Sequence, residues 1–247
     1  MTLRLLLINP NTSAHITDLV VEAGRGVAGP NTELIGATGR FGARYVASRA
    51  AYAIAGHAAL DAYAAHAGAV DGVLLACFGD PGLDALREVA RQPVVGLAEA
   101  SCQAALEQGK RFAIVTGGER WRGMLEEFVA VRGWSRSLAH IETVAPDGAA
   151  IARDPEGASR LLADACRRCA EQHGAEVVIL GGAGLAGIAR RIAGDVPVPV
   201  IDSVTAGVRR IEALARAAKA ATSATPSQVL PVATVGLSDD LARLFQP

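Results

Sequence analysis

This chain carries few side chains of a type that does chemistry, and Cys77 is the one in the most suggestive place. It follows the apolar run Val73-Leu74-Leu75-Ala76 and precedes Phe78-Gly79-Asp80-Pro81-Gly82. A thiol at a strand end, followed by glycines and near a helix start, sits among backbone N–H groups that lower its pKa and can hold an anion. Such a thiolate would be a base or nucleophile; a free cysteine is just as often an inert part of a core. Asn9-Pro10-Asn11-Thr12-Ser13 ends another apolar run and opens a helical stretch. Thr12 or Ser13 suits an N-cap there, and Asn9 can aim a carboxamide at a ligand. Thr116-Gly117-Gly118-Glu119 is a similar polar turn whose hydroxyl and N–H groups could take a carboxylate or imide oxygen, although Thr-Gly-Gly alone is a weak signal.

The other candidates point away from metals and nucleotides. Cys166-Arg167-Arg168-Cys169 has C-x-x-C spacing but lies within a helical pattern, with no second pair to complete a zinc site. It reads as a helix face, and Cys102 as core. His15, His57, His66, His140 and His173 form no H-x-x-x-H pair, so no metal is expected. Gly181-Gly182-Ala183-Gly184 resembles part of a dinucleotide loop, but no G-x-G-x-x-G follows the first strand, and no nucleotide cofactor is expected.

The elements that must position these residues alternate. Short apolar runs near 3–8, 32–37, 71–76, 92–95, 111–116, 139–144, 176–180, 197–201 and 231–235 read as strands. Ala-rich amphipathic stretches at 13–27, 48–67, 98–109, 119–132, 156–173 and 203–222 read as helices. That alternation predicts an α/β fold with parallel sheets. Runs such as Val177-Val178-Ile179-Leu180 are apolar throughout, as in strands covered on both faces.

An internal repeat organises the whole. Val73 to Gly82 lies over Val178 to Gly187 at an offset of 105 residues, which sets Cys77 against Gly182. Arg4 to Asn9 lies over Arg111 to Thr116 at an offset of 107. Two similar α/β halves follow, one of residues 1–97 with 205–247 and one of 98–204. Ligands bind beyond the carboxyl ends of parallel strands. The turns at 9–13, 77–82, 116–119 and 182–187 should therefore face a shared cleft between the halves. The region around Arg40, Phe41, Arg44 and Tyr45 is open to two readings, cleft wall or solvated loop.

Composition bounds the partners. The formal net charge is −1 and half the residues (51%) are hydrophobic, so a packed fold is expected and a nucleic-acid partner is not. No apolar run reaches the roughly 20 residues that span a bilayer. The apolar start, Met1 to Ile8, is short and lacks a cleavage-site pattern, which reads as a buried first strand of a cytoplasmic protein with free thiols.

Taken together, Ile8-Asn9-Pro10-Asn11-Thr12-Ser13, Ala76-Cys77-Phe78-Gly79-Asp80-Pro81-Gly82-Leu83 and Val94-Val95-Gly96-Leu97-Ala98-Glu99-Ala100 resemble the hydantoin and allantoin racemases of the aspartate/glutamate/hydantoin racemase superfamily. The resemblance runs over essentially the whole chain. It implies two α/β halves around a cleft, a small-molecule substrate, no cofactor and a homo-oligomer. It also implies two cysteines flanking an acidic carbon, one removing a proton and the other returning one to the opposite face. Cys77 matches the first. The second normally stands in an L-G-C-A-G string, which here reads Leu180-Gly181-Gly182-Ala183-Gly184, so Gly182 occupies its place. Asn9, Ser13, Phe78, Gly79, Thr116, Gly117, Ala183 and Gly184 are the expected substrate contacts.

Three activities are compatible with this pattern. The first is a racemase of hydantoin-like or amino-acid-like substrates. The second is a one-cysteine decarboxylase of malonates, since the superfamily's arylmalonate decarboxylases protonate an enediolate from one thiol. Those keep the second-half cysteine and have glycine at the first-half place, the mirror of this chain. The third is a non-catalytic binder of small carboxylates.

Overall fold

The computed structural model describes residues 2–144, 155–221 and 231–246. Its frame is two four-stranded sheets. Strands β1 (Leu3–Asn9), β2 (Thr32–Thr38), β3 (Gly72–Leu75) and β4 (Val94–Gly96) form the first, in the order β2-β1-β3-β4. Strands β5 (Phe112–Gly117), β6 (Leu138–Val144), β7 (Val177–Gly181) and β8 (Val200–Asp202) form the second, in the order β6-β5-β7-β8. All pairings are parallel. Helices α1 (Ala14–Arg25), α2 (Arg49–Ala64), α3 (Leu83–Val89) and α4 (Leu97–Gln108) come first along the chain. Helices α5 (Trp121–Val131), α6 (Pro155–His173), α7 (Ile188–Ile192), α8 (Ser203–Ala220) and α9 (Asp239–Arg243) follow.

The repeat seen in the sequence is a repeat of register. Ile8 of β1 pairs with Leu75 of β3, and Val115 of β5 pairs with Leu180 of β7. One residue beyond each first partner stand Asn9 and Thr116; two beyond each second partner stand Cys77 and Gly182. Because a parallel sheet puts all its carboxyl ends on one edge, each half presents its polar turns together.

The halves share one interior. Leu5, Leu7 and Leu74 of the first sheet join Phe112, Ile114 and Ile179 of the second in a single buried cluster. Helices α4 and α8 make this possible by exchanging partners. Helix α4 leaves the first sheet and packs on β7, β8 and α8, whereas α8 leaves the second sheet and packs on β3, β1 and β4. Two outer clusters close the far faces. In one of them Cys166 and Cys169 are fully buried on α6, as a helix-face reading of C-x-x-C requires, and all four cysteines are free thiols.

The proposed strand at 231–235 is not formed. Pro231 to Thr234 has no regular structure, Val232 and Val235 are exposed, and the segment leads to α9, whose Leu241 is buried. Proline cannot donate to a ladder, and the valines face solvent rather than a sheet edge. Pro197 and Pro199 likewise delay the last strand of the second sheet to Val200. Short helices α3, α7 and α9 carry too few turns to show a strong apolar period. Among the described residues no helix is long and apolar enough to cross a membrane.

A shared core predicts joint unfolding. Leu74→Ala, at a fully buried side chain, should cost about 2–5 kcal/mol. Urea titration should show one transition, with far-ultraviolet dichroism and the fluorescence of the second half's Trp121 and Trp134 shifting together. Separate midpoints would mean that the halves fold independently.

Candidate functional site

The carboxyl edges of the two sheets flank a small cleft whose water-accessible volume is about 80 Å³. The first half contributes Asn11, Ile16, Tyr45, Val46, Ala76, Cys77 and Phe78. The second contributes Thr116, Gly117, Trp121 and the run Gly181 to Leu185. Cys77 and Gly182 both line it, and among the described residues no Lys, Arg, His, Asp or Glu does.

The two sets of loops lock together. A Cβ on Gly181 would lie 2.5 Å from the Phe78 ring, and one on Gly79 would lie 2.5 Å from the Trp121 ring. Glycine at both positions lets an aromatic ring from the opposite half rest on bare backbone. A strap over 39–48 borders the mouth, where Tyr45 and Val46 line it. The Tyr45 hydroxyl donates to the Gly117 carbonyl at 3.1 Å, and Trp121 Nε1 donates to the Val46 carbonyl at 3.0 Å. Arg40 anchors the strap through a two-pronged contact with the buried Asp61, which also accepts from Ser238 Oγ at 2.6 Å. The Arg40 guanidinium holds the Asp61 carboxyl below the usual carboxylate range. Phe41 lies edge-on to His57, and the Arg44 carbonyl accepts from Ser13 Oγ. Of the four residues singled out in this region, only Tyr45 reaches the cavity.

The asparagine turn differs from expectation. Asn9 is buried, and its amide nitrogen donates to Asn11 Oδ1, the Ser13 carbonyl and Thr17 Oγ1 at 2.9–3.1 Å. It organises the turn and does not line the cavity. The residue that does is Asn11, whose oxygen is occupied by Asn9 Nδ2 and Ser13 N, leaving its amide nitrogen as a donor for a ligand. Ser13 stands at the N-cap of α1 without capping it, and also lies outside the cavity. Gly79 is outside as well, its carbonyl accepting from Tyr52 OH at 2.7 Å. Thr116 lines the wall but donates its hydroxyl to the Gly181 carbonyl at 2.6 Å, tying β5 to β7. Phe78, Gly117, Ala183 and Gly184 line the cavity.

Cys77 does not have the lowered pKa that its sequence setting suggested. Burial, and then the charge of Asp80, push the thiol up to about 12. The N-terminus of α4 binds a different anion: Ala98 N and Glu99 N both donate to the Asp80 carboxylate at 2.8 Å. Asp80 is the residue that motif reading passed over. Its signals were a carboxylate in a Gly-rich turn and, in the structure, a φ of +55° at a non-glycine residue.

The Asp/Glu/Hydantoin racemase family matches residues 5–211. This chain belongs to that family. The hydantoin racemase of Pseudomonas sp. (strain NS671) is 32% identical over 223 residues, covering 86% of each chain, and that of Paenarthrobacter aurescens is 34% identical over 214 residues, covering 86% of this chain and 91% of the relative. The crystal structure of allantoin racemase from Pseudomonas fluorescens superposes with a TM-score of 0.88 at 29% identity, over 95% of this chain and all of that one. Arylmalonate decarboxylase shares the fold, with a TM-score of 0.63 at 17% identity, over 91% of this chain and 96% of that one.

Within this racemase-family cleft, Gly182 has a backbone that glycine alone adopts readily, with φ +142° and ψ +136°. Space is not the obstacle, because a Cβ there would meet nothing closer than Leu185 Cγ at 3.8 Å. Gly182→Ala and Gly182→Cys should therefore each lower stability by about 1–3 kcal/mol through backbone strain. An unchanged urea midpoint would mean that the loop rotates freely to accept a side chain.

Proposed function

We propose that this protein is a cofactor-independent isomerase acting on hydantoin-like cyclic ureides, and that Cys77 handles the proton at the acidic ring carbon. The observation that carries this reading is the lining of the cleft: a single cysteine in a wall that has no charged side chain among the described residues. A hydantoin ring is neutral and presents N–H and C=O groups. Amides and backbone dipoles can match those groups, whereas a zwitterionic amino acid or a dicarboxylate would need counter-charges to leave water.

Removing the ring proton places negative charge on the adjacent carbonyl oxygen, so donors aimed at that oxygen lower the barrier. Asn11 and the backbone N–H groups of the 116–118 and 182–184 turns are the candidates. A thiol that rests protonated is ready to deliver a proton. To remove one it must first give up its own proton to solvent, against its burial and the charge of Asp80. Cys77 serves one face of the planar intermediate. Gly182 offers no acid on the other, so inversion proceeds by release of that intermediate or by protonation from solvent.

A second reading draws on the raised Cys77 pKa and is disfavoured by the uncharged wall that a malonate would have to enter. Decarboxylation of a malonate supplies the electron pair by loss of carbon dioxide and asks the protein only for an acid, which a neutral thiol is. Carbon dioxide release from a malonate panel, lost in Cys77→Ala, would favour it; no release would remove it.

The deciding experiment is incubation with enantiopure 5-benzylhydantoin and with allantoin in deuterated water, following optical rotation and deuterium uptake by nuclear magnetic resonance. Cys77→Ala should reduce exchange at least about 100-fold, the scale of a lost acid–base group. Exchange with loss of rotation supports a racemase, and exchange with retained rotation supports proton handling on one face only. Exchange unchanged in Cys77→Ala would overturn the assignment of the cysteine.

A further inference from the structure

In each half the cysteine-equivalent loop is tied to the following helix by one carboxylate, but the carboxylate comes from a different place. In the second half it is Asp202, the last residue of β8 and the N-cap of α8. Its Oδ1 accepts from Thr205 N at 2.9 Å, and its Oδ2 accepts from Gly187 N, in the loop, at 2.7 Å. The matching position in the first half is Gly96, the last residue of β4 and the N-cap of α4. A Cβ there would lie 2.2 Å from Asp80 Oδ2. Asp80 thus reaches from the Cys77 loop into the space left by Gly96 and caps α4 through Ala98 N and Glu99 N. Its own N–H donates to the Cys77 carbonyl at 3.0 Å. The loop bearing the thiol carries its own anchor, whereas the loop bearing Gly182 is held by a carboxylate from a neighbouring strand.

From this asymmetry we infer that Asp80 is the positioning residue for Cys77: its carboxylate docks the thiol's loop onto the N-terminus of α4 and brings a negative charge to that loop. The inference rests on Cys77 as the proton-handling group. The mostly buried thiol makes a neighbouring anion effective, since little water intervenes. Burial also pushes the Asp80 carboxyl up to about 7, against the two N–H donors that pull it down. The other titratable or charged groups facing this loop are Tyr52 of α2, Asp84 and Arg87 of α3, Glu99 and Cys102 of α4, and Arg132 after α5. Arg132 opposes Asp80, and Glu99 is engaged by Arg87.

Two variants separate the charge from the tether. Asp80→Asn removes the negative charge, and Cys77 alkylation by iodoacetamide, read by mass spectrometry of the peptide that contains it, should become at least about threefold faster at pH 8, because a nearby like charge disfavours the thiolate. Asp80→Gly combined with Gly96→Asp copies the second half, restoring the helix cap from the strand while releasing the loop. After Asp80 is removed, the closest obstacle to the new side chain is the flexible end of Leu83 at 2.8 Å. This double variant should melt near the parent temperature and keep a parent-like alkylation profile. Its maximal exchange rate on 5-benzylhydantoin should fall at least about tenfold, with KM within about threefold, as expected when a reacting group is misplaced rather than binding lost. Parent-like exchange in a folded double variant would reduce Asp80 to a helix cap and overturn the proposal. An unmoved alkylation profile in folded Asp80→Asn would overturn its charge role. Should Asp80→Asn fail to fold, Asp80→Ser with Gly96→Asn supplies the uncharged comparison. Alkylation reads the thiol whether or not it is catalytic, so undiminished exchange by Cys77→Ala would instead refute the cysteine mechanism itself.

Discussion

Everything at the site depends on two aromatic rings resting against glycine backbone across the boundary between the halves. Phe78, directly after the cysteine, lies on Gly181, and Trp121, at the start of α5, lies on Gly79. Each ring places its own loop within van der Waals reach of the loop opposite. A methyl group at either glycine would force the halves apart by more than a packed interior absorbs without strain. The separation of the two walls is therefore set by ring thickness against a bare peptide, and the shared core beneath keeps the sheets from drifting relative to one another.

The sequence foretold this frame well because its signals were redundant. Apolar runs, the 105-residue offset and the polar turns all pointed to two parallel sheets, and the register of Ile8 with Leu75 and of Val115 with Leu180 is the physical form of that offset. Errors clustered where side-chain direction mattered. Asn9 and Asn11 flank one proline, and sequence could not tell which amide would be consumed inside the turn. Ser13 has the right backbone for a cap, yet its hydroxyl turns to the Arg44 carbonyl. The thiol of Cys77 was read from its proximity to glycines and a helix start, but its burial and the neighbouring Asp80 carboxylate raise its pKa instead. Pro231 to Val235 looked like a strand by composition and lacks a sheet edge to join.

The electrostatic character of the cleft follows from the same economy of donors. Polar groups near the wall are mostly engaged with one another: Thr116 with Gly181, Tyr45 with Gly117, Asn9 with Asn11 and Thr17. What remains for a guest is a small number of fixed dipoles beside a buried thiol. Such a surface discriminates by hydrogen-bond pattern and shape more than by charge, and it does not need to reorganise when charge develops on a bound oxygen.

The anchoring of the strap has a consequence for the order of folding. Ser238 and Asp61 meet across 177 residues, and Asp61 in turn holds Arg40 at the root of the segment that brings Tyr45 and Val46 to the mouth. Contacts so distant along the chain close only after the intervening elements have condensed, because loop entropy must be overcome first. The sheets can form from more local pairings, and the common core is completed when α8 packs on β1. The aperture acquires its final outline afterwards, when α9 settles beside α2, so a nearly folded chain would already own its cysteine and its walls while still lacking a defined entrance.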